Sequence, residues 1–296
     1  MPAHEPLNPT SASRSGVYAQ PYVVFSPEKW RASITLAYGN AIESDSVKPA
    51  AYLLDAEILR VEVGVLHDFS ARTFGRVDAA LTGAYGGFAD GFFLAYHKLI
   101  HFRQRARQAR PKNTFGYEFT LPDGTSVHPR PDDAALGDVR ATFGVRHSEA
   151  LQSVVSLTLP TATGPAGYGR GTVSLNMVQT ALLPLAHRFT FEGTLGVGIT
   201  PSHGALAAYQ RTTFGSASAG LRFRFRGSQS IYGYLFYHTP YYHGTTLRSL
   251  DRRELTGDFG WIRQGRNGRE WHIGLGEDLA PGDPGIDLIL KAGTTW

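Results

Sequence analysis

The chain has 296 residues, of which 42% are hydrophobic, 12% aromatic and only 18% charged, with 34 Gly, no Cys and a formal net charge of +4. No run approaches the roughly 20 consecutive apolar residues of a membrane helix, which excludes a helical membrane bundle, and the lack of cysteine excludes a disulfide scaffold while fitting an exported protein. The charge excess is small and no glycine-rich phosphate loop joins a strand to a helix, so neither a nucleic-acid partner nor a cofactor is expected.

In chain order, residues 1–28 come first. The stretch MPAHEPLNPTSASRSG has no apolar core and is not a signal peptide. In an exported protein the signal would already be gone and Met1 would be an added start. Residues 1–28 are expected to form an irregular periplasmic segment or an inner plug, with Val17 to Phe25 available as an extra strand. Residues 29–296 are expected to form one barrel domain.

From Trp30 the pattern changes. Trp30, Ala32, Ile34, Leu36 and Tyr38 alternate with Arg31, Ser33, Thr35 and Ala37, and successive strand side chains point to opposite faces. The same alternation sets Val139, Ala141, Phe143 and Val145 against Arg140, Thr142, Gly144 and Arg146. It sets Phe189, Phe191, Leu195, Val197 and Ile199 against Thr190, Glu192, Thr194, Gly196 and Gly198, and Ala217 to Phe225 against Ser218, Gly220, Arg222 and Arg224. The chain stops on an aromatic, with Ile286, Leu288, Leu290, Ala292, Thr294 and Trp296 on one parity and Asp287 and Lys291 on the other.

Strands are expected near Trp30–Asn40, Leu54–His67, Thr73–Tyr85, Asp138–His147, Leu151–Leu159, Thr172–Leu182, Arg188–Ile199, Ala217–Arg226, Ser230–Thr239, Glu254–Arg263, Arg269–Asp278 and Ile286–Trp296. Each is about the length a tilted strand needs to cross an outer membrane. The charged stretch Asp55–Glu57 breaks parity and reads as a bulge or a strand end.

The connections alternate. Short ones are Asp68–Arg72, Ser148–Ala150, Leu183–His187, Gly227–Gln229 and Gln264–Gly268; longer ones are Ala41–Leu53, Gly86–Gly137, Pro160–Gly171, Thr200–Ser216 and Pro240–Arg253. Transmembrane barrels have short periplasmic turns and long outer loops, whereas a soluble barrel or sandwich has no reason to segregate them. The fold class is therefore all-β: a twelve-stranded antiparallel transmembrane β-barrel with one long helix-containing outer loop.

That loop spans 86–137. In Phe88 to Phe102 the apolar residues recur near helical spacing, with Asp90 as the helix N-cap. Phe88, Asp90, Phe93, His97 and His101 are the candidates for a lid over the mouth or a plug inside it. His97 and His101 share a helix face, but no third ligand accompanies them, so no metal is expected. Arg103, Arg105, Arg107 and Arg110 follow at short spacing, suited either to lipopolysaccharide phosphates or to a solvated helix end. Phe115 to Leu121, with Asp123-Gly124 as a turn, reads as a β-hairpin.

The inward parity gathers charges of both signs, among them Arg140, Arg188, Glu192, Arg222, Arg224, Asp258, His272 and Lys291. In a hydrated lumen these line a channel, and the cluster of Arg188, Arg222 and Arg224 favours anions; in a narrow one they neutralise each other. A lipid-active enzyme is the third possibility, but His147-Ser148 falls on a short turn and no Ser–His–acid spacing marks a nucleophile, so no catalytic residue is assigned. The Tyr237–Tyr242 cluster with His238 reads as an aromatic girdle with a lumen histidine.

The order of short motifs resembles an uncharacterised proteobacterial outer-membrane barrel family, a domain of unknown function. The motifs are Leu54-Asp55-Ala56-Glu57, Gly86-Gly87-Phe88-Ala89-Asp90-Gly91-Phe92 with His97, Leu136-Gly137-Asp138, Leu159-Pro160-Thr161, Gly169-Arg170-Gly171, His238, Leu255-Thr256-Gly257 and Glu277-Asp278-Leu279. Ala56 stands where that family usually has Gly, and Tyr96 where it has Trp. The resemblance implies a barrel in the outer membrane of a Gram-negative bacterium and no activity. The expected function is passive passage or binding of a small solute, anionic if the arginines line water. The alternative is a filled structural barrel in an envelope complex. Expected partners are outer-membrane lipid, lipopolysaccharide and, through the strand ending in Trp296, the barrel-assembly machinery.

Overall fold

The computed structural model describes residues 1–15, 17–99, 110–165, 168–265, 269–280, 286 and 288–296. In chain order the strands are β1 (Trp30–Val47), β2 (Ala50–Asp68), β3 (Thr73–Tyr85), β4 (Gly116–Thr120), β5 (Ser126–Val127), β6 (Asp132–Leu136), β7 (Val139–Arg146), β8 (Leu151–Leu159), β9 (Ser174–Ala186), β10 (Phe189–Ile199), β11 (Thr213–Arg226), β12 (Gln229–His238), β13 (Glu254–Gln264), β14 (Glu270–Asp278) and β15 (Leu288–Thr295). All but β4, β5 and β6 form the barrel. Each of these twelve pairs antiparallel with its neighbour, and the pairing of β1 with β15 closes the cylinder. The twelve strands lie where the alternation places them.

The two faces differ as the pattern requires. Outward residues such as Leu36, Val63, Val77, Phe143, Leu195 and Ile273 are large, apolar and exposed. A continuous apolar band around a cylinder, with polar groups turned in, suits a lipid surround rather than water. At the end where the short turns lie, Trp30, Phe69, Phe189, Phe225, Trp271 and Trp296 are exposed and form an aromatic girdle. No helix among the described residues is long and apolar enough to cross a membrane.

Several expectations need correction. Residues 41–53 are not a loop: β1 and β2 run on as a hairpin to Val47–Ala50, with continuous register through Asp55 and Glu57 and no bulge there. Nor does Val17–Phe25 add a strand; its one backbone pairing of this kind is the isolated bridge Ala19–His4. The hairpin in the long loop exists as β4–β5, turning at Gly124, whose φ of 85° suits glycine. It continues the wall beyond β3 by pairing β4 with the far end of β2, and β6 does the same beyond β7 by pairing with β3.

Candidate functional site: the lumen and what fills it

The wall offers the lumen a set of ionic side chains. Strand alternation turns Arg60 and Glu62 of β2, Arg76 and Asp78 of β3, and Arg140 of β7 towards the axis. Arg60 donates to Glu62 at 2.9 Å, Arg76 to Asp78 at 2.6 Å, and Arg140 lies 3.4 Å from Asp78 and 3.8 Å from Glu62. The wall thus brings three guanidinium groups and two carboxylates to one patch, and burying an unbalanced charge is costly.

Residues 1–28 supply the missing charge. Residues 1–15 and 17–20 lie inside the barrel, and residues 21–28 cross its turn end. Glu5 accepts from Arg60 at 2.6 Å and from Arg140 at 3.2 Å, which brings the patch to three cations and three anions. The Tyr18 ring stacks under two cations, with Arg140 4.5 Å and Arg170 5.4 Å from its centroid. Beside this cluster remains a cavity of about 40 Å³, room for two or three waters.

The path of the segment follows from its partners. From Trp30 it runs back along the turn end, where the Ser26 amide meets Asp68, the Val23 carbonyl accepts from Arg146 at 2.6 Å and Tyr22 donates to the Ser148 carbonyl. Arg146 also pairs with Asp68, which accepts from Arg31 at 2.7 Å. The segment then rises through the lumen by way of Tyr18 and Val17. At Gly196 a Cβ would stand 2.3 Å from Val17 Cγ1, so glycine lets the segment touch the wall. It turns at the loop end in a short helix, α1 (Pro9–Ala12), whose Asn8 cap binds Glu43 at 2.9 Å and whose Thr10 meets the Tyr52 hydroxyl at 3.0 Å. It descends again to His4, beside Phe236 and Glu254, and to Met1, whose amino group is 3.1 Å from Glu192. Leu7, Asn8, Thr10, Ser11, Arg14, Val17 and Tyr18 are all buried.

The lumen candidates fall into two groups. Arg140, Glu192, Asp258, His272 and Lys291 are buried inside. Asp258 accepts from Tyr232 at 3.0 Å and pairs with Lys291. Arg188 and Arg224 instead are exposed at the turn end, while Arg222 is half-buried and lies 3.8 Å from Glu270. Arg60, Arg76 and Arg140 of the wall are the arginines that meet the carboxylates at the middle of the lumen.

The loop helix is neither lid nor plug. It is α2 (Asp90–Leu99), and it lies against the outside of the wall above the apolar band. Tyr38, outward on β1, faces Phe88 and Phe93 at 5.9 and 6.3 Å. Glu57, outward on β2, bonds Tyr38 and accepts from the amides of Phe88 (3.0 Å) and Ala89 (2.7 Å), so a distant wall carboxylate ties down the entry to the helix, and Asp90, expected as the N-cap, is its first residue. Gly87, at φ 74°, has no room for a Cβ beside Glu57. Asp90 accepts from Asn40 at 2.8 Å and from the Asn113 amide at 2.6 Å, and His97 is 3.3 Å from Glu277 on β14. The parity break at Asp55–Glu57 has the same cause: these acids face out where the loop covers them, and Asp55 holds Arg110 at 2.6 Å and Thr114 at 3.0 Å. Arg110 therefore turns to the wall. His101, Arg103, Arg105 and Arg107 lie outside the described residues.

The aromatic cluster needs correction at Tyr241 and Tyr242, while His238 faces inward as expected. Tyr237 belongs to the outward parity, but His238, Tyr241 and Tyr242 are buried in the mouth, with Tyr241 stacked 4.2 Å from His238 and donating to Glu254 at 2.5 Å. On the outer wall His147 Nε2 is 2.5 Å from Ser153 Oγ, and Gln179 donates to the same oxygen at 2.6 Å. No carboxylate among the described residues bonds His147. Sequence reading missed Glu5, Arg14 and Tyr18 altogether.

No family model matches the chain, and no curated protein matches it. Among solved structures it is similar to an outer membrane channel from Pseudomonas putida F1, at 12% identity over 92% of this chain and 96% of that one, with a TM-score of 0.59. Weaker likenesses are to the NanC porin (5% identity, 90% and 98% covered, TM-score 0.49) and to the translocator domain of the autotransporter NalP from Neisseria meningitidis (8%, 90% and 88%, 0.48). At such identity the first of these establishes the fold, a closed twelve-stranded barrel of the outer-membrane kind.

Proposed function

We propose that this protein is a channel in the outer membrane of a Gram-negative bacterium, passing small solutes passively when its N-terminal segment leaves the lumen. The observation that carries the reading is the ionic wall. A barrel that stayed filled would be cheaper to line with apolar or neutral groups, whereas Arg60, Glu62, Arg76, Asp78 and Arg140 suit a water path once Glu5 is withdrawn. Without Glu5 that patch has one more cation than anions, which favours small anionic solutes. The name of the Pseudomonas putida structure, an outer membrane channel, agrees with the reading. Insertion by the barrel-assembly machinery through the Trp296 end, and contact of Arg103, Arg105 and Arg107 with lipopolysaccharide, belong to the same proposal.

The rival is a permanently filled structural barrel, favoured by the depth at which Val17 and Tyr18 are buried. A reversible lock separates the two. The chain has no cysteine, and Val17 touches the wall at Gly196, so Val17→Cys with Gly196→Cys puts a cysteine pair across that contact. In planar bilayers the reduced double variant should conduct and the oxidised one fall silent. Silence in both states, with the wild type silent too, establishes the filled barrel instead.

A further inference from the structure

We propose that the cavity at the loop end is a binding site for a small organic anion carrying one aromatic ring, with Arg14 as its charge partner. The cavity measures about 270 Å³ and lies between the N-terminal segment and the loops after β8 and β10. A dry engineered cavity of about 150 Å³ takes a benzene molecule, so this space holds one substituted ring and a few waters. Tyr117, Phe119, Leu206 and Tyr242 give it the apolar and aromatic lining that such a ring needs.

The charge of the site follows from its two arginines. Arg170 is neutralised: it lies 3.2 Å from Asp138, and its other donors bond the Ser15 carbonyl. Arg14 is not. It is 1% exposed, yet no carboxylate among the described residues lies within ion-pair distance. Its terminal nitrogens donate only to the carbonyls of Thr200 (2.8 Å), Pro201 (3.0 Å) and Arg211 (2.8 Å), and its Nε has no partner. Burial lowers the pKa of Arg14 from its ordinary value, but a guanidinium retains its proton at neutral pH. An uncompensated cation thus borders an aromatic cavity, and charge-assisted bonds to a carboxylate are roughly twice as strong as those to neutral acceptors.

The same bonds fasten the top of the N-terminal segment to the loop after β10. An anion that draws Arg14 from these carbonyls loosens the plug, which makes the site a trigger; this consequence rests on the channel reading, while the binding does not.

Calorimetric titration of the full chain in detergent with benzoate, benzyl alcohol and benzylamine tests the site. Benzoate should bind saturably and at least tenfold more tightly than benzyl alcohol, and benzylamine should not bind. Arg14→Gln should weaken benzoate at least tenfold, and Arg226→Gln, at the opposite end, should leave it unchanged. Lack of saturable benzoate binding, or equal binding of benzyl alcohol, overturns the proposal. The three ligands on the wild type decide the matter even if Arg14→Gln fails to fold. Bilayer recordings in potassium chloride, with and without benzoate, keep the two readings apart. Conduction without benzoate binding removes the site and keeps the channel; benzoate binding by a barrel that never conducts keeps the site and removes the channel.

Discussion

Two segments outside the barrel strands compete for the role of plug, and the less conspicuous one takes it. Helix α2 is apolar and compact, yet it lies outside, where Glu57, Asn40 and Glu277 meet its end and its polar face. The N-terminal segment has no periodicity, yet its residues 1–15 and 17–20 occupy the lumen, because Glu5 answers a cationic patch and Tyr18 lies beneath two guanidinium groups. What fills a polar lumen is the segment that satisfies its charges, since an apolar helix there would strand Arg60 and Arg140.

That contrast can be broken most forcefully at Arg140. Arg140→Leu leaves Glu5, Glu62 and Asp78 short of a partner, and it should destabilise the protein by about 3–5 kcal/mol in urea unfolding from liposomes. A loss below 1 kcal/mol would show that the patch is hydrated and weakly coupled to the plug. Tyr18→Ala removes both ring–cation contacts, each worth about 0.5–2 kcal/mol. It should raise the open fraction in bilayer recordings at least severalfold, and an unchanged open fraction would remove Tyr18 from the latch.

The outer helix gives the counterpart. Asp90→Ala removes its bonds to Asn40 and Asn113, costing about 1–3 kcal/mol of local stability, visible as faster proteolysis between β3 and β4. Conductance should stay the same; a change would mean that α2 is coupled to the pore after all. The smallest effect belongs to the rim. Arg224→Gln, at an exposed position, should alter stability by less than about 0.5 kcal/mol and leave ion selectivity intact, whereas Arg76→Gln should reduce anion preference.

The legible part of the fold is the part that touches two solvents. Leu195 and Glu192, or Phe143 and Arg140, reveal a strand because lipid and lumen select opposite side chains. Beyond the apolar band that selection stops, so Ile42 to Leu53 shows no clean alternation although it is strand paired to its end. Asp90 marks the start of α2, but its docking place depends on acids more than 30 residues earlier in the chain or far beyond it, at Glu57 and Glu277. The plug leaves no local trace, since Glu5 and Arg140 are separated by 135 residues and each looks like an ordinary charge alone.

Residence of Val17 in the lumen is the claim that all of this needs. The direct measurement is the reaction of a single Val17→Cys variant, in intact proteoliposomes, with a membrane-impermeant maleimide. Val17 is wholly buried, so labelling should be slow and should accelerate in the Tyr18→Ala background in step with its open fraction. Immediate labelling of Val17→Cys in the otherwise wild-type chain would place the segment outside the barrel and contradict the account.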